Sequence, residues 1–310
     1  LDVSFHNLTG ESDHRFITAL RWMMKRRRPR WPRHVVNDPA DRPAARVDDG
    51  GIRVTLVGHS TVLVQMAGLN ILTDPVWSRR VGPMPGIGVR RVRPPALSLA
   101  ELPPIDVVLV SHNHYDHLDR PTLAALAKRH RPLLLTGRNV GKALPRRAAA
   151  RMVELDWWQS HEIAPGVTVH YVPAEHFSAR TPFDRNATLW GGFVVESKEG
   201  RVYFAGDTGD GPHFAQIRER LGPMTLSLLP IGAYTPRWFM SPVHINPAEA
   251  VAASLTLESQ VSLAMHYGTF PLADDGFDDP PRDLAVCLKD HPNLDFRQPA
   301  FGRATVIRRR

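Results

Sequence analysis

Four side chains able to ligate a transition metal fall within six positions: His112, His114, Asp116 and His117, in the run Ser111-His112-Asn113-His114-Tyr115-Asp116-His117. Residues two apart lie on one side of an extended chain, so His112 and His114 can aim both imidazoles at a single ion. Asp116 and His117 follow where the chain turns, and their offset addresses a second ion close to the first. Four such groups directly after an apolar strand are costly to bury unless they are bound. Three more polar residues close later apolar runs: His176 after Val169 to Pro173, Asp207 after Val202 to Gly206, and His266 after Val261 to Met265. Together the seven complete two coordination spheres. Asp207, beside the flexible Gly206, is the carboxylate best placed to bridge two cations. This histidine-rich set favours two zinc ions, with iron or manganese as alternatives, over the oxygen-preferring magnesium and calcium. Paired cations acidify a shared water, so the expected chemistry is hydrolysis by a metal-bridging hydroxide, with Asp116 counted among the catalytic residues as well as the ligands.

Around this set, Asp74 and His59 read as groups that hold ligands from behind by hydrogen bonds, or as turn residues. Tyr115 has two readings: a hydrogen-bond donor to substrate, or a ring packed under the metal loop. Cys287 is the only cysteine, which excludes an internal disulfide and a thiolate-based zinc site. No Ser-His-Asp or activated-cysteine pattern offers a covalent route.

Such a site needs strands to end at one place, and the sequence supplies them. From Ile52 onward, Val54 to Val57, Val62 to Val64 and Leu69 to Leu72 are short β-branched runs separated by Gly or polar turns. Ile105 to Val110 is a buried strand, Pro121 to His130 has helical spacing, and Leu133 to Leu135 is strand-like. Later strands are expected at Val167 to Val172, Leu189 to Val195, Val202 to Phe204, Leu226 to Leu229 and Val261 to Met265. Helices are expected at Pro212 to Arg220, Pro247 to Leu257 and Pro281 to Leu288, each opening on a proline. Strands followed by mixed strand and helix, repeated once, predict an α+β fold of four layers, an αββα sandwich. Residues 51–310 form the catalytic domain in this reading. Residues 1–50 form a basic N-terminal extension, with a short amphipathic helix around Ala19 to Met24 before a Pro-rich linker.

The chain of 310 residues carries 39 basic against 31 acidic side chains, a net charge of +8, which favours anionic partners such as a phospholipid surface or a phosphodiester. No separate RNA-binding module or aromatic–basic repeat is present, so a nucleic-acid phosphodiesterase ranks third. Much of the excess lies in Lys25 to Arg30, Arg79 to Arg93 and Arg308 to Arg310, each of which alone also fits a solvated surface. The segment Asp74 to Leu97 is a long Pro-, Gly- and Arg-rich loop, expected as a functional lid. It mixes Trp77, Met84, Ile87 and Val89 with Arg79, Arg80, Arg90, Arg91 and Arg93, and Trp238-Phe239-Met240 adds apolar bulk. This composition suits peripheral association with a lipid interface, or ordinary loop packing. With no apolar stretch of membrane-spanning length, the expected location is cytoplasmic or peripheral to a membrane.

Ser111 to Asp119, with the spaced His176, Gly206-Asp207-Thr208 and His266, resembles the metallo-β-lactamase superfamily. Within it the chain is similar to the N-acylphosphatidylethanolamine-hydrolysing phospholipase D family. That likeness runs through Leu72-Thr73-Asp74-Pro75, Leu102 to Asp119, Leu189-Trp190-Gly191, Phe204 to Gly209, Pro230 to Met240 and His266 to Phe270, most particularly Gly232-Ala233-Tyr234 with Pro236 to Met240. The resemblance implies His112, His114 and His176 on one zinc, Asp116, His117 and His266 on the other, and Asp207 between them. It also brings in His244, to bind phosphate or protonate the leaving oxygen; the plain alternative is an exposed loop histidine. The implied reaction converts an N-acylphosphatidylethanolamine to an N-acylethanolamine and a phosphatidic acid. Competing readings are a metallo-hydrolase of a soluble ester, lactone or sugar-derived phosphate, and a non-enzymatic metal-binding module.

Overall fold

The structure is a computed structural model that describes residues 4–10, 18, 21, 22, 24, 26, 29–84 and 86–309. Its first half runs β1 (Ile52–Gly58), β2 (Thr61–Met66), β3 (Leu69–Thr73), the small strands β4 (Arg80–Val81) and β5 (Val89–Arg90), β6 (Val107–Val110), helix α1 (Arg120–Arg129), β7 (Leu133–Gly137), helix α2 (Arg146–Ala149) and β8 (Met152–Leu155). The second runs β9 (Ser160–Ala164), β10 (Val167–Val172), β11 (Gly192–Ser197), β12 (Gly200–Phe204), α3 (His213–Leu221), β13 (Leu226–Pro230), α4 (Arg237–Met240), α5 (Pro247–Thr256), β14 (Val261–Met265), α6 (Asp279–Cys287), β15 (Phe296–Arg297) and β16 (Ala304–Ile307).

Two seven-stranded mixed sheets result, ordered β16-β1-β2-β3-β6-β7-β8 and β15-β14-β13-β12-β11-β10-β9. Alternate residues of a central strand point to opposite faces, and here both faces are apolar. In β6, Val107 and Leu109 join the core between the sheets, where they meet Phe193, Phe204, Leu228 and Leu263 of the second sheet. Val108 and Val110 join a separate core beneath α1, with Leu123, Leu126 and Ala127. The second sheet is covered in turn by Phe214 and Ile217 of α3 and by Ala250, Val251 and Ala253 of α5. Fully burying one such side chain stabilises the fold by about 1.5–3 kcal/mol, so continuous apolar strands and one-faced helices fix the order of layers. The fold is the expected α+β sandwich of four layers.

Several elements depart from the sequence reading. The strand expected from Leu189 begins only at Gly192, because Leu189 and Gly191 spend their amides on Arg138 O and Ser111 O across the sandwich. β8, β9 and β16 are half-exposed, so their apolar alternation is too weak to be seen beforehand. The long loop after Asp74 contains a hairpin, Arg80 pairing with Arg90 and Val81 with Val89. Gly88 permits it: its φ is +106, and a Cβ there would lie 2.0 Å from Val81 O.

Several of the described residues before Gly51 bond to the body. Phe5 N donates to Asn186 O, Val35 N to Val92 O and Asp41 N to Gly302 O, and Val47 O accepts from Gly68 N. Of the helix expected around Ala19 to Met24, Arg21, Trp22 and Met24 are helical; Ala19, Leu20 and Met23 lie outside the described residues, as do Lys25, Arg27, Arg28 and Arg310 of the basic clusters. Among the described residues, no helix is long and apolar enough to cross a membrane.

Candidate metal centre

Strand ends at one edge of the sandwich carry the polar residues. Asp74 follows β3, the run from Ser111 follows β6, His176 lies beyond β10, Asp207 beyond β12, and His266 directly follows β14. His59 stands in the turn between β1 and β2. His59, Asp74 and His266 have φ of 55°, 29° and 60°, backbone conformations that cost L-residues energy and concentrate at working sites.

Ligand-capable atoms converge there in adjoining groups. In one group, His114 Nδ1 lies 2.8 Å from His112 Nε2 and 3.2 Å from His176 Nε2. In the other, Asp116 Oδ2 lies 3.3 Å from His117 Nε2, 3.6 Å from His266 Nε2 and 3.0 Å from His59 Nε2. Asp207 Oδ2 reaches towards both, at 3.0 Å from His117 Nε2, 3.1 Å from His266 Nε2 and 4.0 Å from His176 Nε2. All seven residues expected as ligands are thus brought together.

The backs of the rings are anchored, which fixes which nitrogen faces the centre. His117 Nδ1 lies 2.6 Å from Asp74 Oδ2. Asp74 also accepts from Ser111 N at 2.7 Å and from Ser111 Oγ at 2.6 Å, and that hydroxyl is 2.9 Å from His112 Nδ1. One buried carboxylate therefore sets His117 directly and His112 through a serine. His176 Nδ1 donates to Val243 O at 2.8 Å, while His176 N donates to Asn7 Oδ1 at 3.0 Å. Asp74 hydrogen-bonds the back of His117 and the Ser111 hydroxyl. His59 is nearer than expected, grouped with Asp116, His117 and His266 themselves.

Burial drives the titration here. It lowers His59 to about 3, His114 to about 4 and His244 to about 4, and takes His112 and His176 well below the usual imidazole range, with neighbouring histidines adding to the effect at His112 and His176. Burial would lower His117 and His266 too, but the Asp207 carboxylate outweighs it, placing His117 well above its ordinary value and His266 at about 9. The reciprocal holds for Asp116 and Asp207: burial pushes them up, and the facing His117 charge carries them well below the carboxylate range. The two carboxylates thus call for positive charge at the point where the imidazole nitrogens converge. His117 Nε2, His266 Nε2 and Asp207 Oδ1 are buried without a hydrogen-bond partner, a costly arrangement that bound cations would relieve. The donor set fits a pair of borderline-soft divalent ions.

A cavity of about 330 Å³ adjoins these groups, lined by His114, Asp116, Asp207 and His244 together with Arg185 and the apolar Phe177, Phe239, Met240, Val243 and Leu272. His244 lies inside it rather than on an exposed loop, its Nδ1 4.0 Å from Asp207 Oδ2. Tyr115 does not face the centre. Its hydroxyl donates to Arg180 O at 2.5 Å, and the Arg180 guanidinium lies 4.1 Å above its ring, so the packing alternative describes its position and the substrate-donor expectation is corrected. The parts played by Ser111, as the link from Asp74 to His112, and by Asn7, Phe177, Arg185 and Trp22 escaped the sequence reading. Ser111, at the head of the metal run, carried the one available signal.

The family model for the beta-lactamase superfamily domain matches residues 69–267. The chain belongs to that superfamily. An uncharacterised protein of Mycobacterium tuberculosis is 41% identical over 273 residues, covering 83% of this chain and 72% of its own. The N-acyl-phosphatidylethanolamine-hydrolyzing phospholipase D 1 of Caenorhabditis elegans is 38% identical over 252 residues, covering 78% and 71%. Among solved structures, Igni18, a metallo hydrolase from Ignicoccus hospitalis, superposes with a TM-score of 0.65 at 21% identity, over 84% of this chain and all of its own, a likeness of fold. This superfamily member is a hydrolase with a buried His/Asp cluster built to hold metal.

Proposed function

We propose that the protein is a phosphodiesterase of the phospholipase D type, acting on a phospholipid, with an N-acylphosphatidylethanolamine as its substrate. The observation that carries this reading is the mixed lining of the cavity, where His114, Asp116, Asp207 and His244 share one space with the apolar Phe177, Phe239, Met240, Val243 and Leu272. A phosphodiester next to acyl chains needs both. The 38% identity to the nematode enzyme supports the same class.

In this reading His112, His114 and His176 would hold one zinc and Asp116, His117 and His266 the other, with Asp207 available to both, and with iron or manganese as alternative metals. Bound there, the cations supply an acidified water and neutralise charge on the phosphoryl oxygens. Asp74 and Ser111 keep Nε2 of His117 and His112 aimed inward. His59 Nε2 holds Asp116 Oδ2 at 3.0 Å, the oxygen that also approaches His117 and His266. His244, with an unpartnered Nδ1 beside the cavity, contacts a phosphoryl oxygen or the leaving oxygen. Attack by water forms a new P–O bond and breaks the one to the N-acylethanolamine oxygen, which leaves with the proton. The phosphatidic acid stays with its acyl chains against the apolar residues. Exposed Trp238, beside Phe239 at the cavity, suits peripheral contact with the bilayer that presents this substrate.

The test is a substrate profile on purified protein of measured metal content. N-acylphosphatidylethanolamine in mixed micelles, a soluble phosphodiester and a lactone are assayed side by side. Release of N-acylethanolamine at rates well above turnover of the other two supports the proposal, and activity confined to the lactone sinks it. Stoichiometric metal with no hydrolysis of any of the three points to a binding module instead.

A further inference from the structure

The loop that carries the metal ligands has a second face. Tyr115 turns away from His114 and Asp116 into a separate groove of about 710 Å³, between the β4–β5 hairpin and the start of α1. Five arginines line it, Arg79, Arg80, Arg90, Arg120 and Arg180, against one acid, Asp119. That acid is already engaged, accepting from the amides of Trp77 and Ser78 and from the hydroxyls of Ser78 and Thr122.

Two of the arginines serve the fold. Arg80 Nη1 donates to Gly88 O at 2.8 Å and closes the hairpin, and Arg180 Nη1 donates to Asn113 O at 2.7 Å and Leu118 O at 3.0 Å. Arg79, Arg90 and Arg120 are exposed, and among the described residues no carboxylate forms an ion pair with any of the five. Cationic forks gathered in a concavity repel one another, and their geometry matches phosphate oxygens. At the tip of the same hairpin, Met84 and Ile87 are 58% and 48% exposed. Apolar side chains held out beside a basic groove fit a headgroup layer, where the charges meet phosphate and the apolar tips pass below it.

We propose that this groove is a second, non-catalytic phosphate site that takes the headgroup of an anionic phospholipid, with Met84 and Ile87 entering the acyl boundary beside it. The arginines define the chemistry as phosphate, and the apolar tip selects a lipid source over a free ion. The site sits on the reverse of the metal loop and does not depend on which bond the His/Asp centre cleaves.

Co-sedimentation of the full chain with vesicles tests it, using phosphatidylcholine alone and phosphatidylcholine mixed with phosphatidylglycerol, neither of them the proposed substrate. The expected result is binding that requires phosphatidylglycerol. Each guanidinium removed near an anionic surface weakens binding by about fivefold, so a combined Arg79→Gln, Arg90→Gln, Arg120→Gln variant is expected to lose roughly a hundredfold. A Met84→Ser, Ile87→Ser variant, which keeps every charge, weakens binding too. Arg218→Gln with Arg303→Gln removes two arginines already paired with Glu258 and Asp41, and leaves binding unchanged. Hydrolysis of a soluble phosphodiester, unchanged in all variants, shows that they fold. If the whole series is inactive on every phosphodiester, the proposed reaction falls while the vesicle result still stands, with circular dichroism then reporting folding. Wild-type binding by the triple variant would overturn the site. Displacement from vesicles by inorganic phosphate as effective as that by lipid would overturn its assignment to a lipid.

Discussion

The two sheets run through the same sequence of strand directions and use it differently. From β16 through β1 and β2 to β3 each junction is antiparallel, and from β3 through β6 and β7 to β8 each is parallel. From β9 through β10 and β11 to β12 the junctions are again antiparallel, and from β12 through β13 and β14 to β15 parallel. Asp74 follows β3 and Asp207 comes three residues after β12, so the two carboxylates stand past corresponding strands, where pairing changes from antiparallel to parallel. Open α/β sheets bind ligands beyond the carboxyl ends of their strands. Yet Asp74 is fully buried behind the histidines, its oxygens taken by Ser111 and His117, and burial raises its pKa despite those bonds. Asp207 faces the cavity, has an unpartnered Oδ1, and is carried well below the carboxylate range once the His117 charge overcomes burial. Position in the sheet brings a carboxylate to the centre. Its neighbours decide whether it faces the convergent imidazole nitrogens or anchors a ring from behind.

That division gives the largest expected effect. Asp207→Ala removes a carboxylate that lies within 4.0 Å of His117 and His266 in one group and of His176 in the other, and hydrolysis is expected to fall by at least about a thousandfold together with loss of metal, read by elemental analysis of the same preparation. Asp74→Asn keeps the shape but turns an acceptor towards Ser111 and His117 into a partial donor. Loss of an orienting partner of this kind costs about 10–100-fold in metal affinity or activity. The two variants should therefore separate by at least tenfold. Equal losses would mean that the two carboxylates do one job, and no loss in Asp74→Asn would mean that the histidines need no anchor.

The halves also differ in how far they could be read from the sequence. The first half puts four ligands in one run, and a contiguous pattern survives any uncertainty about strand ends. The second scatters His176, Asp207 and His266 over ninety-one positions, legible only because each closes an apolar run. His59 was read only as a residue holding ligands from behind or as a turn residue; its 3.0 Å approach to Asp116, made from a turn with positive φ, is set by tertiary folding. Tyr115 was ambiguous because the chain turns there, and alternation no longer tells which way a ring points. The hairpin of β4 and β5 has two-residue strands, too short for any periodicity, and is set by the close approach of Gly88 to Val81. Asn7 was out of reach as well, since its bond to His176 spans 169 positions.

The smallest effect concerns the helices that back each half. α1 begins at Asp119 with no side-chain cap, because that carboxylate is turned to Trp77, Ser78 and Thr122 and ties down the base of the hairpin instead. α5 has a complete capping box: Asn246 Oδ1 accepts from Glu249 N at 2.8 Å, and Glu249 Oε2 accepts from Asn246 N at 2.9 Å. Glu249 also takes both bonds from Arg237 Nη2 at 2.8 Å, and Arg237 Nη1 donates to His244 O. Asn246→Ala removes one capping bond and leaves Arg237 and Glu249 in contact, so the expected cost is about 1 kcal/mol of stability in urea unfolding, with turnover within twofold of wild type. A much larger fall in turnover than in stability would show that the cap, through Arg237, positions His244. In that case the second half, like the first, would use a residue at a helix start to hold a functional loop in place.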